Sequence, residues 1–216
     1  ADGRLGHGNV EDQDLEDQRQ PKRIEALAET RVVAMAAGHD LSFVLTEAGV
    51  VLSFGCGLCG ALGHGDRQHL YTPKVVEALR AERVVAVAAG NGHSLVLTEA
   101  GAVLSFGYGG NGSLGHGDQE KQLTPKVIEA LRGQRVVAVS AGYAHSLVVT
   151  EAGAVLSFGY GEWGNLGHGD EENQLTPKII EALRDERVVA VSAGIDHSLV
   201  VTEAGAVLSF GRGGDG

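Results

Sequence analysis

Apolar positions along this chain fall in short runs of five to seven residues, each bounded by glycine or by charged turns. VVAVAAG from Val84, HSLVLTE from His93, AVLSFG from Ala102 and PKVIEAL from Pro125 are representative. β-branched and apolar runs of that length, punctuated in that way, predict strands. LTEAGAVLSF reads as a hairpin whose tip is Glu99-Ala100-Gly101, with glycine free to take the positive φ that a tight turn needs. The same tip recurs at Glu47, Glu151 and Glu203. EALR has some helix propensity, but four residues cannot nucleate a helix alone.

These runs repeat. VVA begins at Val32, Val84, Val136 and Val188, and SFG at Ser53, Ser105, Ser157 and Ser209, a constant step of 52 residues. LGHG begins at Leu5, Leu62, Leu114 and Leu166, with five extra residues in the first step, inside the acidic stretch before Pro21. Four strands in a period of that length are the mark of propeller blades rather than helical solenoids. The expected architecture is all-β: one domain over 1–216, with four-stranded antiparallel blades anchored at 32–83, 84–135, 136–187 and 188–216. Residues 1–31 form a complementary part-repeat. Small residues end the second strand of each unit (Ala88-Ala89-Gly90, Ser140-Ala141-Gly142, Ser192-Ala193-Gly194). Blades crowd towards an axis, so Ala89, Ala141 and Ala193 are expected to be buried there.

Composition narrows the function classes. Thirty-three glycines without a Gly-X-Y period indicate many turns, not collagen. A net charge of −11 opposes a broad nucleic-acid interface or an anionic membrane, and is compatible with basic or neutral partners. No apolar run approaches the length of a membrane span, so membrane insertion is not expected. Two cysteines make no disulfide framework, and the first residues carry no signal peptide; an intracellular location is favoured. The chain does not begin with methionine, the form of a processed or trimmed product.

The string VVAVAAGxxHSLVLTEAGAVLSFGYGxxGxLGHGD followed by TPKVIEAL resembles the regulator of chromosome condensation repeat family, and the likeness extends over essentially the whole chain. The resemblance implies a propeller, usually of seven four-stranded blades. It also implies a binding role such as nucleotide exchange on a small GTPase, chromatin docking, substrate recognition beside ubiquitin-ligase domains, β-lactamase inhibition or ultraviolet-B sensing. The fold fixes none of these by itself. Here there are four repeats rather than seven, no basic tail, a single tryptophan (Trp163), and only the short acidic insertion where the exchange factor carries a protruding wedge. Two closures follow: PKRIEAL near the N-terminus completes the last blade of a small ring, or the chain is an arc of a larger one. Four-fold closure needs about 90° per blade and seven-fold about 51°.

Nine histidines invite a catalytic or metal reading. His7, His64, His116 and His168 belong to LGHG, and His93, His145 and His197 to a His-Ser pair that the first unit replaces with Leu41-Ser42. A residue that recurs in every blade at one position is expected to satisfy backbone groups. Cys56-x2-Cys59-x4-His64-x4-His69 has the ligand types for tetrahedral zinc, yet His64 is the repeat's own histidine and Cys56 replaces Tyr108 and Tyr160. No nucleophile–base–acid set and no phosphate loop appears.

Where near-identical copies agree, packing explains the residue; where they differ, a partner can. The variable loops follow AAG (His39-Asp40, Asn91-Gly92, Tyr143-Ala144, Ile195-Asp196) and SFG (Cys56, Leu58, Cys59, Tyr108, Asn111, Tyr160, Glu162, Trp163, Arg212, Asp215). Aromatic residues and arginine are the usual anchors of interfaces, so Tyr108, Tyr143, Tyr160, Trp163, Ile195 and Arg212 are the expected partner-binding residues. The sequence therefore reads as a non-enzymatic protein-interaction or scaffold module without a cofactor, with assembly through strand edges as an added route. The alternatives are a small-GTPase regulator and a metal-dependent site around Cys56 and Cys59.

Overall fold

The computed structural model describes residues 3–8 and 18–214. Three sheets have four antiparallel strands each: β1–β4 (Val32–Ala37, Leu41–Thr46, Val51–Gly55, Leu70–Val75), β5–β8 (Val84–Ala89, His93–Thr98, Val103–Gly107, Gln122–Val127) and β9–β12 (Val136–Ala141, His145–Thr150, Val155–Gly159, Gln174–Ile179). A fourth has three: β13–β15 (Val188–Ala193, His197–Thr202, Val207–Gly211). The predicted period and tips are present, with four strands in each of the first three blades. The hairpin turns at Glu47, Glu99, Glu151 and Glu203 close with the glycine at positive φ, as at Gly101 (φ +83°).

Two limits of the fourth strand differ from expectation. It begins before the proline (Gln122 in the second blade) and stops at Val127, and Glu129–Leu131 forms a 3-10 turn. The turn prevails because Leu131 drops into the core while Glu129 pairs with Arg132 at 2.7 Å on the surface. Proline is tolerated in the strand because this is the outer edge of each blade, where a missing N–H costs no ladder bond.

Successive blades stack face on face, with their first strands adjoining along the inner side. Side chains alternate along each strand, so one face of a blade meets its predecessor and the other its successor. On β6, Ser94, Val96 and Thr98 turn back towards the first blade while His93, Leu95 and Leu97 turn forward, and all six are buried. Burial on both faces explains the near-continuous apolar runs in these strands. Each fully buried leucine or valine contributes roughly 1.5–3 kcal/mol. Phe43 and Phe106 meet edge to face at 5.9 Å across the first such boundary.

The crowding expected at Ala89, Ala141 and Ala193 lies one residue further on. Those alanines are half-buried, lining the inner wall. A Cβ on Gly90 would meet the Gly142 carbonyl oxygen at 2.5 Å, and one on Gly142 the Gly194 oxygen at 2.4 Å. The first strands approach backbone to backbone at their ends: the Tyr143 N–H donates to the Gly194 carbonyl at 3.0 Å.

The blades form an open arc. Among the described residues β15 has no outer partner strand, and Pro21 to Ile24, which four-fold closure would place there, lie outside any strand. The 3-10 turn that follows them, Glu25–Leu27, sits beside β4, as Glu77–Leu79 sits beside β8 and Glu129–Leu131 beside β12. Residues 3–8 cover part of the first blade: Gly8 N–H donates to Tyr71 C=O at 2.9 Å and Gly6 faces the Phe54 ring. They repeat the way Gly65 binds Leu123 and Gly63 faces Phe106 one blade later.

Candidate partner-binding face

Antiparallel strands place the variable loops together. The AAG loop and the SFG loop of each blade emerge at the same end, joined by a backbone bond: Cys56 N–H to Asp40 C=O (2.7 Å), Tyr108 to Gly92 (2.7 Å), Tyr160 to Ala144 (3.0 Å) and Arg212 to Asp196 (2.9 Å). The opposite end is nearly identical in every repeat. It carries the hairpin tips and 3-10 turns, fenced by the ion pairs Arg31–Glu47, Arg83–Glu99, Arg135–Glu151 and Arg187–Glu203 at 3.2 to 3.4 Å. One end of the arc is therefore uniform and the other individual.

Five of the six expected residues gather on the third and fourth blades. The Arg212 guanidinium lies over the Trp163 ring, 4.6 Å from its centre, while reaching Asp196 at 3.4 Å. Such stacking holds both side chains in place and leaves an amphipathic surface. Ile195, beside Asp196, is 65% exposed, and Trp163 is 40% exposed. Tyr143 is tied to Gly194 through its backbone and is also exposed. Tyr160 is only half-buried rather than open, and it borders an acidic depression with Glu162, Glu171 and Glu172. Tyr108 stands apart on the second blade, 44% exposed, with the Lys121 ammonium 5.9 Å from its ring centre. Lys121 was not expected, because it lies beyond the LGHG turn and only the fold returns it to the SFG loop. In the first blade Asp40 is held by Arg4 and His39, each at 2.7 Å. Asp215 and most of the acidic insertion lie outside the described residues.

Five of the histidines, His64, His93, His116, His145 and His168, are built into the scaffold. Ser146 Oγ donates to the Ser113 carbonyl (2.9 Å), so it accepts from His93 Nε2–H of the preceding blade (3.0 Å). Ser198 does the same between Asn165 and His145 (2.8 and 2.9 Å). Within blades, Ser53, Ser105 and Ser157 donate to the Leu62, Leu114 and Leu166 carbonyls and accept from His64, His116 and His168. Burial pushes the His93 and His145 pKa down to about 4. It also lowers His64, His116 and His168, helped by Lys74, Lys126 and Lys178 respectively. Burial thus keeps the rings neutral, and the bonds to serine place the proton on Nε2.

The zinc reading is corrected. Among the described residues no three His, Cys, Asp or Glu side chains come together as a metal site. Cys56, Cys59, His64 and His69 form no such group, and His64 Nε2 is bonded to Ser53 Oγ at 2.9 Å inside the blade.

Stacked antiparallel sheets joined by inter-blade polar bridges define a β-propeller arc. The RCC1-like domain family matches residues 1–216, and the chain belongs to that family. It is 37% identical over 211 residues to the ultraviolet-B receptor UVR8 of Arabidopsis thaliana, covering 97% of this chain and 47% of the receptor. It is 38% identical over 217 residues to the human E3 ubiquitin-protein ligase HERC2, covering all of this chain and 4% of the ligase. The chain thus spans less than half the length of either relative. Among solved structures, yeast RCC1 (Prp20) bound to Kap60 matches with a TM-score of 0.74 and 27% identity over 87% of this chain and 44% of that one. Human WBSCR16 shares the fold with a TM-score of 0.85 at 24% identity, over 97% and 55%.

Proposed function

We propose that this arc is a non-catalytic protein-interaction module whose partner sits on the variable loop face, centred on Trp163, Arg212, Ile195 and Tyr143. The observation that carries this reading is the ordered Trp163–Arg212 stack beside exposed Ile195, on a face where repeats otherwise kept alike diverge. Aromatic and arginine side chains already held in place lose little entropy on binding, which is why they dominate interface energetics. The crystal structure of yeast RCC1 with Kap60 supports a protein as the kind of partner for this fold. The net charge of −11 favours a basic or neutral partner surface. Regulation of a small GTPase is the second reading; it rests on family membership.

The test is a pull-down with the wild-type chain and with Trp163→Ala, read by mass spectrometry and followed by binding measurements on the proteins recovered. The expected result is a partner whose affinity falls by about 2 kcal/mol or more on the substitution. Protection mapped to the Glu47, Glu99, Glu151 and Glu203 end would overturn the assignment of the face.

A further inference from the structure

The two ends of the arc are halves of an interface that the chain already contains three times. At each internal boundary the forward face of one blade presents an apolar surface to the backward face of the next, with His93 and His145 added at the second and third boundaries where the first has Leu41. Val103 and Val155 are 1% exposed there, whereas Val207, at the same position in the fourth blade, is 65% exposed. His197 and Leu199 are exposed too, where His145 and Leu147 are sealed. On the backward face of the first blade, Met35 is 82% exposed at the position where Val87, Val139 and Val191 pack against the preceding blade. Both open faces are apolar and carry the same residue positions as the closed ones.

The polar half of the interface is also set. Ser42 Oγ already donates to the Arg4 carbonyl at 2.8 Å, just as Ser146 donates to Ser113 and Ser198 to Asn165. Its lone pair occupies the place that accepts His93 and His145 at the second and third internal boundaries, and His197 is the matching donor. At the outer edge, Lys178 lies opposite Ser157 and Ile179 opposite Leu156. Three repeats earlier, Lys22 and Arg23 hold those positions; they are exposed and outside any strand. They match the vacant edge of β15 at Ser209 and Leu208.

We infer that two copies of this chain associate head to tail, the forward face of the fourth blade of one copy seating on the backward face and residues 21–23 of the other. His197, Leu199 and Val207 of one copy meet Ser42, Val32 and Met35 of the second, and residues 21–23 add the missing outer strand to β15. The contact is heterologous. Two copies close into a ring if each of eight blades turns about 45°, and otherwise the array continues with further copies. The inference does not depend on what binds the loop face.

The experiment is sedimentation and light scattering of the 216-residue chain over a concentration series, with Met35→Asp, Val207→Asp and Trp163→Ala. Both aspartates replace residues exposed in the single chain, and circular dichroism checks that each variant keeps the wild-type β signal. The wild type is expected to reach twice the monomer mass or more. Each aspartate variant weakens association by about tenfold or more, because a charge is then buried. An equimolar mixture of the two recovers a two-copy species and nothing larger, since each variant retains one intact face. Trp163→Ala leaves the mass unchanged. A monomer at the highest soluble concentration, assembly insensitive to both aspartates, or assembly lost with Trp163→Ala would each overturn the inference.

Discussion

His93 Nε2 lies 3.0 Å from Ser146 Oγ, across the boundary between the second and third blades, and the same serine holds the Ser113 carbonyl. The bridge is asymmetric, and the first blade shows how. There Leu41 replaces histidine, yet Ser94 keeps its bond to the Ala61 carbonyl at 2.9 Å. His93→Leu is therefore expected to cost about 1 kcal/mol, the net worth of one hydrogen bond. Ser146→Ala leaves both a buried imidazole N–H and a buried carbonyl unpaired, and is expected to cost about 2–4 kcal/mol. Urea unfolding of the two variants checks the order.

Acid should loosen the blade boundaries. His93 and His145 are neutral in the folded chain with pKa pushed down to about 4 by burial, while the unfolded chain protonates near 6.5. Between those values the unfolded state binds more protons, so stability rises with pH and falls as pH drops from about 6.5 to 4. Unfolding midpoints measured from pH 7 to pH 4 should decline across that window. The double variant His93→Leu and His145→Leu should decline less steeply.

Backbone crowding gives a third expectation. A methyl on Gly142 would sit 2.4 Å from the Gly194 carbonyl oxygen and 2.6 Å from the His145 ring. Neither neighbour is the far end of a flexible side chain. Gly142→Ala is expected to destabilise by about 3 kcal/mol through overpacking, seen as a lowered thermal midpoint.

Trp163 is the sole tryptophan, so its fluorescence reports the loop face alone. Its emission is expected at solvent-exposed wavelengths in the free chain, shifting blue when a partner covers it. Arg212→Ala should free the ring from its stack and weaken partner binding without altering the unfolding midpoint. A change in that midpoint would mark the stack as structural.

Much of this was legible in the sequence, for a physical reason. A 52-residue period written four times fixes the same strands and hairpins in every copy, so Glu99 and its equivalents could be placed before any coordinates. Relations between blades were not legible. That His93 and Ser146 meet, although 53 residues apart, follows from stacking rather than spacing. For the same reason the crowding fell on Gly90 and Gly142 rather than on the alanines beside them. The end of the fourth strand was misplaced because EAL is apolar enough for either state, and the core under Leu131 decides. The candidate face was read from differences among copies, which found Trp163 and Arg212 but not their stacking, and missed Lys121 altogether.

Residues 3–8 lodge on the first blade as Leu62 to Gly65 lodge on the second, so each structural unit borrows its cover from the stretch of chain before it. Sequence period and structural unit are therefore out of phase. A duplication or loss of a 52-residue stretch recreates much the same junction wherever the cut falls, because every boundary repeats the same apolar positions and the serine-to-carbonyl bond, and only the histidine is exchanged for Leu41 at the first. Stability in such an array adds by nearest neighbours. The gene can lengthen or shorten by whole periods without inventing a new surface, and near-identical copies are what recent growth by that route would leave behind.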